Sequence, residues 1–254
     1  MCYTEGDEGT VAAMTTLERQ ASRVERYTAS YETYLALPDD GRLVEWVDGE
    51  IIEYMPASES HQHIVLLIAY LLQGFVARLQ LGRIYIAPFE VKLWSGGPSR
   101  EPDVLYVADD SQARVEKQRV EGGPDLVVEV VSPSSLTRDR IDKFREYERA
   151  GVREYWIIDP RPFQQQADFY LRDADGLFVP VAVDGDGVYT SATLPGFRLR
   201  VAWLWQESPP DRDLALAWML AEAPGVPDEL RALYRQMAQL VTVHPYGKHR
   251  VHSE

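Results

Sequence analysis

The sequence has little of what marks secreted, zinc-binding or membrane proteins. Cys2 is the only cysteine in 254 residues. A single cysteine cannot form an intrachain disulfide, and it excludes a zinc site built from several cysteines. The longest apolar run, residues 64–72, is too short to span a bilayer, and residues 1–26 do not resemble a signal peptide. We therefore expect a cytoplasmic protein with no membrane partner.

Positively charged residues are fewer than negatively charged ones, with 26 Lys and Arg against 40 Asp and Glu, and the formal net charge is −14. Such a charge argues against a general nucleic-acid coat protein, which would be basic. It does not exclude a nuclease, since an acidic cleft that holds divalent metal presents a different field to phosphate. The hydrophobic content of 45% is enough for one sizeable core.

Residues 124–160 contain the strongest structural pattern in the chain. The apolar, β-branched run at 126–131 predicts a buried strand that ends at Pro133. Glu129 interrupts this run. A carboxylate inside such a strand needs a partner, because an unpaired buried charge is costly.

A helix and a second strand are predicted to follow. Ser134, Ser135 or Thr137 can cap the start of the helix, and Gly151 offers the left-handed residue at its end. With a strand at 154–159, the segment predicts a βαβ unit.

Three polar side chains of this helix recur every four residues and share one face: Asp139, Lys143 and Tyr147. If that face covers the end of the first strand, a lysine lies near Glu129. The alternative for Lys143 is a solvated residue paired with Asp139, which would contribute only about 0.3–0.5 kcal/mol.

The other predicted elements flank this unit. Asp48-Gly49 is a strong hairpin signal between strands at 43–47 and 50–55. The remaining elements are a short helix at 28–37, a long helix from Ser58 or Ser60 to about Leu79, strands at 83–87, 89–94 and 103–108, a short helix at 112–120, a strand meander at 168–171, 177–183 and 188–191, and tail helices at 212–221 and 228–243.

The chain divides into three predicted parts. Residues 1–26 form a flexible leader, residues 27–206 form the main domain, and residues 207–254 form a helical C-terminal extension. The tail helices carry apolar stripes, which either cover the domain or form a homodimer contact.

Two carboxylates can meet in this arrangement. Asp103 stands at a strand start and Glu129 lies within a later strand, so their oxygens can lie side by side and suit Mg²⁺ or Mn²⁺. The alternatives are a turn or capping role for Asp103 and a buried arginine partner for Glu129.

Residues 27–205 resemble the Uma-type restriction-endonuclease-like family of the PD-(D/E)xK nuclease superfamily. The matching motifs are RLVEWVDGEIIEYMPAS, EPDVLYV, DLVVEVVSPSS and GVREYWIIDP. The resemblance implies an α/β fold with a restriction-endonuclease-like core. It further implies a mixed central β-sheet flanked by helices, an N-terminal hairpin and a C-terminal helical extension.

The resemblance also implies a metal site and a displaced lysine. Asp103 matches the first metal-binding acid and Glu129 the second, and the backbone carbonyl of Val130 would be a further ligand. The superfamily lysine usually stands at the position of Val131, so Lys143 on the next helix would replace it.

Four further positions match recurrent polar residues of the family. Glu45 is implied as an outer acid of the metal site, and His61 as a contact to substrate or water. For His61, a hydrogen bond at the helix start is the alternative. Asp139 and Tyr147 are implied as neighbours of the substrate or of the metal ligands.

The function implied is Mg²⁺- or Mn²⁺-dependent hydrolysis of DNA phosphodiester bonds by an endonuclease. Two alternatives stay open, namely a catalytically silent nuclease fold used as a binding or assembly module, and a hydrolase of other phosphate substrates. A local excess of arginines either meets a nucleic-acid backbone or is solvated; it comprises Arg138, Arg140, Arg145, Arg149 and Arg153.

Overall fold

The structure, a computed structural model, describes residues 25–38, 40–54, 56–132, 135, 138–206 and 209–243. Almost all of the predicted leader therefore lies outside the described residues, as do Pro133 and two of the three predicted helix caps, Ser134 and Thr137. Within the described chain, two six-stranded sheets and one two-stranded sheet are combined with helices. The prediction of a mixed α/β fold is confirmed.

The first six-stranded sheet, here called the hairpin sheet, has the strand order β1-β3-β2-β6-β5-β8. The predicted hairpin is present within it, and its turn residues Asp48 and Gly49 both have positive φ, 50° and 85°. A short helix, α1 (Tyr31–Leu35), is capped by Ser30. The strands are β1 (Glu25–Thr28), β2 (Val44–Val47), β3 (Glu50–Glu53), β5 (Glu90–Lys92), β6 (Ser99–Arg100) and β8 (Arg119–Glu121).

The second six-stranded sheet, the central sheet, has the order β12-β11-β10-β9-β7-β4. Its strands are β4 (Gly82–Ile86), β7 (Val104–Ala108), β9 (Leu126–Val130), β10 (Glu154–Asp159), β11 (Gln166–Arg172) and β12 (Phe178–Val181). Strands β9 and β10 run parallel and the other pairs in this sheet are antiparallel. A parallel pair joined through a helix is the βαβ unit that the sequence predicts.

Helix α2 (Glu59–Leu79) covers one face of the central sheet. Its cap, Ser58, accepts a hydrogen bond from the backbone N–H of His61 at 3.3 Å. By length and composition alone the helix could cross a membrane. Nine of its residues are nevertheless buried, and most of them pack in one cluster with residues such as Val128 and Trp156 of the sheet. It is therefore the main core helix of this fold.

The opposite face of the central sheet meets helix α3 (Lys143–Ala150), which ends at Gly151 with φ 83°. One turn of π-helix, Arg138–Asp142, precedes it, so the predicted helix does not begin as a regular α-helix. Near its start, the Oγ of Ser135 accepts a hydrogen bond from the N–H of Ser132 at 2.9 Å, and the backbone carbonyl of Ser135 accepts one from the N–H of Asp139 at 2.8 Å.

Two predicted elements near the sheets are wrong. Residues 112–120 do not form one helix; a 3₁₀ helix (Asp109–Arg114) is followed by strand β8. The predicted meander also stops early, because β13 (Val188–Thr190) pairs with β14 (Arg198–Arg200) in a separate sheet. A second 3₁₀ helix, Val201–Trp205, follows β14.

The tail forms helices α4 (Arg212–Leu220) and α5 (Asp228–Val243). Helix α4 approaches α2 so closely that a Cβ at Gly74 would stand 2.6 Å from Leu216. Met219 of α4 is fully buried in the core shared with α2. Helix α5 exposes an apolar face, which comprises Leu230, Leu233, Met237 and Leu240. The domain boundary after residue 206 stays a prediction.

Candidate active site

The first predicted acid, Asp103, lies immediately before β7 and joins two other elements. Its Oδ2 accepts a hydrogen bond from the backbone N–H of Val130 at 2.7 Å and stands 3.3 Å from Nε2 of His61. Burial alone would lower the pKa of His61, but the hydrogen bond with Asp103 and nearby carboxylates raise it above its ordinary value. The start of α2 is thereby tied to the end of β9.

The second predicted acid, Glu129, points to the face of the central sheet that α3 covers. Its Oε1 accepts hydrogen bonds from Nζ of Lys143 at 2.8 Å and from the hydroxyl of Tyr147 at 2.7 Å. The two donors stand one helical turn apart, so a single face of α3 supplies both. The lysine thus lies beside the glutamate, as the spacing along the helix predicts.

Lys143 is not a surface residue, however. Its side chain is 5% exposed, and its Nζ also stands 3.1 Å from Oε1 of Glu45 and 3.7 Å from Oδ1 of Asp139. The alternative of a solvated pair with Asp139 alone is therefore wrong. The structure brings together all seven side chains that the sequence nominates, and the N–H of Val130 contacts one of them, Asp103. The seven are Glu45, His61, Asp103, Glu129, Asp139, Lys143 and Tyr147.

The hairpin sheet contributes a buried network that the sequence reasoning missed. Glu45 in β2 accepts from Nη1 of Arg100 at 2.8 Å and from the hydroxyl of Tyr54 at 2.5 Å. Arg100 also donates hydrogen bonds from Nε and Nη2 to the two carboxylate oxygens of Glu146 in α3, at 2.7 and 2.8 Å. The sequence gives little indication that Arg100 belongs to this network, since the residue lies in a two-residue strand after a turn-rich loop and follows no periodic pattern.

The electrostatic balance of the cluster is negative. Burial raises the pKa of Glu129, and Asp139, Asp103 and Glu45 raise it further against the lowering effect of Lys143. Five carboxylates meet three permanently cationic side chains, so two negative charges are unmatched while His61 is neutral and one is unmatched when it is protonated. The carboxylates are Glu45, Asp103, Glu129, Asp139 and Glu146, and the cations are Arg100, Arg138 and Lys143.

The residues fit a divalent cation by their chemistry and their charge. Carboxylate oxygens are the ligands that Mg²⁺ and Mn²⁺ prefer, and the excess of negative charge in the cluster favours a bound cation. Oδ1 of Asp139 and Nδ1 of His61 are buried and have no hydrogen-bond partner among the residues that the structure describes. Among the described residues, no three His, Cys, Asp or Glu side chains form a ready-made metal centre.

The cluster is almost closed to solvent. Among the side chains that the sequence nominates, those of Asp103 and His61 are the most exposed, at 12% and 10%, and Glu146 at the edge of the cluster is 18% exposed. Val131, at the usual lysine position, is buried among apolar side chains such as Tyr155 and takes no part in the cluster.

The mixed central sheet and the acid–lysine cluster at its parallel strands define an α/β protein of the restriction-endonuclease-like class. Residues 31–202 match the family Uma2, described as "Putative restriction endonuclease", and the chain belongs to this family.

Two known proteins are similar to parts of the chain. A protein of Synechocystis sp., "Uncharacterized protein sll1609", is 28% identical over 134 residues, which is 52% of this chain and 73% of that protein. A crystal structure described as "a putative nuclease belonging to DUF820" from Anabaena variabilis superposes with a TM-score of 0.51 at 19% identity. It covers 68% of this chain and 96% of its own, and at this identity it supports the fold alone.

Proposed function

We propose that the protein is a metal-dependent endonuclease that hydrolyses phosphodiester bonds of DNA. Membership of a nuclease-like family supports the reaction class. One observation supports the proposed catalytic arrangement: Nζ of Lys143 stands 2.8 Å from Oε1 of Glu129 although the two residues are 14 positions apart. A lysine supplied by α3 thus meets the second acid without occupying the usual position two residues after it.

Asp103, Glu129 and the backbone carbonyl of Val130 would hold the Mg²⁺ or Mn²⁺ ion. When bound, such an ion polarises a phosphate oxygen and acidifies a coordinated water. The link from Asp103 to the backbone N–H of Val130 supports this assignment, because it fixes the acid against the strand that carries the other two ligands.

The remaining residues of the cluster orient these groups. Tyr147 fixes one oxygen of Glu129 by its hydrogen bond. Glu45 and Asp139 hold the amine of Lys143 beside Glu129, where its positive charge would stabilise negative charge that develops on the phosphate. His61 lies at the more open edge beside Asp103, where it would contact substrate or water.

One observation favours the second candidate, a silent nuclease fold used as a binding or assembly module. Lys143 is almost fully buried and is surrounded by three carboxylates, so its charge is already neutralised inside the protein. An amine held in this way would support the fold even without any substrate.

The test compares the parent with Asp103→Asn and with a matched control outside the cluster, Asp168→Asn. The parent and the control are expected to bind Mn²⁺ in calorimetry and to cleave duplex DNA with Mn²⁺ or Mg²⁺. Asp103→Asn should lose Mn²⁺ binding and cleave roughly a hundredfold more slowly or worse, the scale of losing one preorganised electrostatic group. Absence of cleavage by the parent with either metal would favour the silent module.

A further inference from the structure

Arg138 is a buried arginine with one hydrogen-bonding edge that no described residue occupies. The residue begins the π-helical turn before α3 and is 7% exposed. Its Nε and Nη2 are both buried, and neither has a hydrogen-bond partner within the described parts of the chain. Buried donors of a cation are normally satisfied, because leaving them unpaired after removal from water is unfavourable.

Two other arginines show what this edge does when it is occupied. Arg100 uses Nε and Nη2 to hold both oxygens of Glu146, at 2.7 and 2.8 Å. Arg161 holds both oxygens of Asp159 in the same way, at 2.9 and 2.8 Å. The Nε–Nη2 edge of a guanidinium is a planar fork that matches a two-oxygen anion. Arg138 has the same edge, and no carboxylate of the described residues is hydrogen-bonded to it.

The position of Arg138 connects this fork to the candidate active site. Its Cζ lies 4.5 Å from the ring centre of Tyr54, whose hydroxyl donates to Glu45. The guanidinium of Arg138 stabilises the charged form of Glu45 and also that of Asp139, the next residue in the chain after Arg138. This cation–π contact restrains the guanidinium and so contributes to preorganising the fork.

We propose that Arg138 is a phosphate-binding residue that takes two oxygens of a DNA phosphodiester through Nε and Nη2. The proposal rests on the proposed function for the identity of the ligand. A phosphate supplies the acceptor oxygens and the negative charge that the fork lacks. The surrounding carboxylates would repel such an anion, and the divalent cation that they would hold offsets this repulsion.

The experiment measures duplex affinity by fluorescence anisotropy over a range of salt concentrations, with Ca²⁺ in place of Mg²⁺ so that binding is followed without turnover. The variants are Arg138→Ala, Arg138→Lys and a control, Arg161→Ala, which removes an arginine whose same edge is already occupied. Arg138→Lys keeps the charge and loses the fork, so it carries the test if the alanine variant fails to fold.

Arg138→Ala is expected to weaken binding about tenfold to a hundredfold, as for a lost charge-assisted hydrogen-bonded pair. It should also reduce the slope of log affinity against log salt by about 0.9, the value for one phosphate contact. Arg138→Lys should weaken binding with little change of slope, and Arg161→Ala should change neither. An unchanged slope and affinity in Arg138→Ala, or an equal loss in Arg161→Ala, would overturn the proposal.

A second arm separates this proposal from the proposed function. If the parent binds duplex through Arg138 but never cleaves it, the phosphate site stands and the nuclease proposal fails. If the parent does not bind duplex, inorganic phosphate is the probe. A phosphate-dependent rise in Tm that disappears in Arg138→Ala and in Arg138→Lys supports an oxyanion site. No rise in the parent refutes it.

Discussion

Replacing Lys143 by methionine should destabilise the protein strongly. The amine is 2.8 Å from Glu129, 3.1 Å from Glu45 and 3.7 Å from Asp139, and the residue is 4% exposed. Methionine keeps most of the apolar stem, so the cavity contribution stays small and the change mainly removes the charge.

The magnitude follows from the partners that are left behind. Glu45 keeps Arg100, and Asp139 keeps the electrostatic effect of Arg138. Among the described residues, the hydrogen-bond donor that remains for Glu129 is the neutral hydroxyl of Tyr147. Removing one partner of a buried ion pair costs about 3–5 kcal/mol of unfolding free energy. For a chain of this size, that loss lowers Tm by roughly 6–20 °C.

Urea unfolding in the presence of a chelator measures this loss without bound metal. Arg145→Met on the exposed face of α3 is the matched control, with an expected change within about 0.5 kcal/mol. Adding Glu129→Gln to the Lys143→Met background should recover about 0.5–3 kcal/mol relative to the sum of the single changes. The reasoning fails if Lys143→Met unfolds at the same urea concentration as the control.

Two further predictions concern the hairpin sheet and the tail. Burial and the hydrogen bond from the Tyr31 hydroxyl to Glu90 raise the pKa of Tyr31 to about 12 from 10.0. The stability that this tyrosine contributes should therefore be complete below pH 10 and fall as the pH rises toward 12, and urea midpoints should show a weaker decline for Tyr31→Phe than for the parent. The homodimer predicted from the tail should be broken by Leu233→Glu on the exposed face of α5, and an unchanged mass by light scattering, whether dimer or monomer, would contradict that contact.

Local patterns predicted the elements that local chemistry decides. The Asp48-Gly49 pair can adopt positive φ and gave the hairpin correctly. The four-residue repeat on α3 correctly placed Lys143 and Tyr147 on the face beside Glu129, because helical geometry fixes which side chains are neighbours.

Features that depend on packing between distant segments could not be predicted in the same way. The burial of Lys143 requires the hairpin sheet, whose Glu45 lies 98 positions earlier in the chain. The partners of Arg100 come from β2 and α3, and no spacing in the sequence links them. Likewise, β13 pairs with β14 because the chain returns after a turn at residues 192–196, and not because its own residues favour that neighbour.

The ion pairs around Lys143 make the candidate site a shared property of both large sheets. Glu129 comes from the central sheet, Glu45 comes from the hairpin sheet, and the lysine between them comes from α3. A chimera that received only the βαβ motif would carry the ion pair between Lys143 and Glu129. It would lack Glu45, the second carboxylate that pairs with Lys143. The hairpin and the motif therefore have to be inherited, exchanged or engineered as one unit.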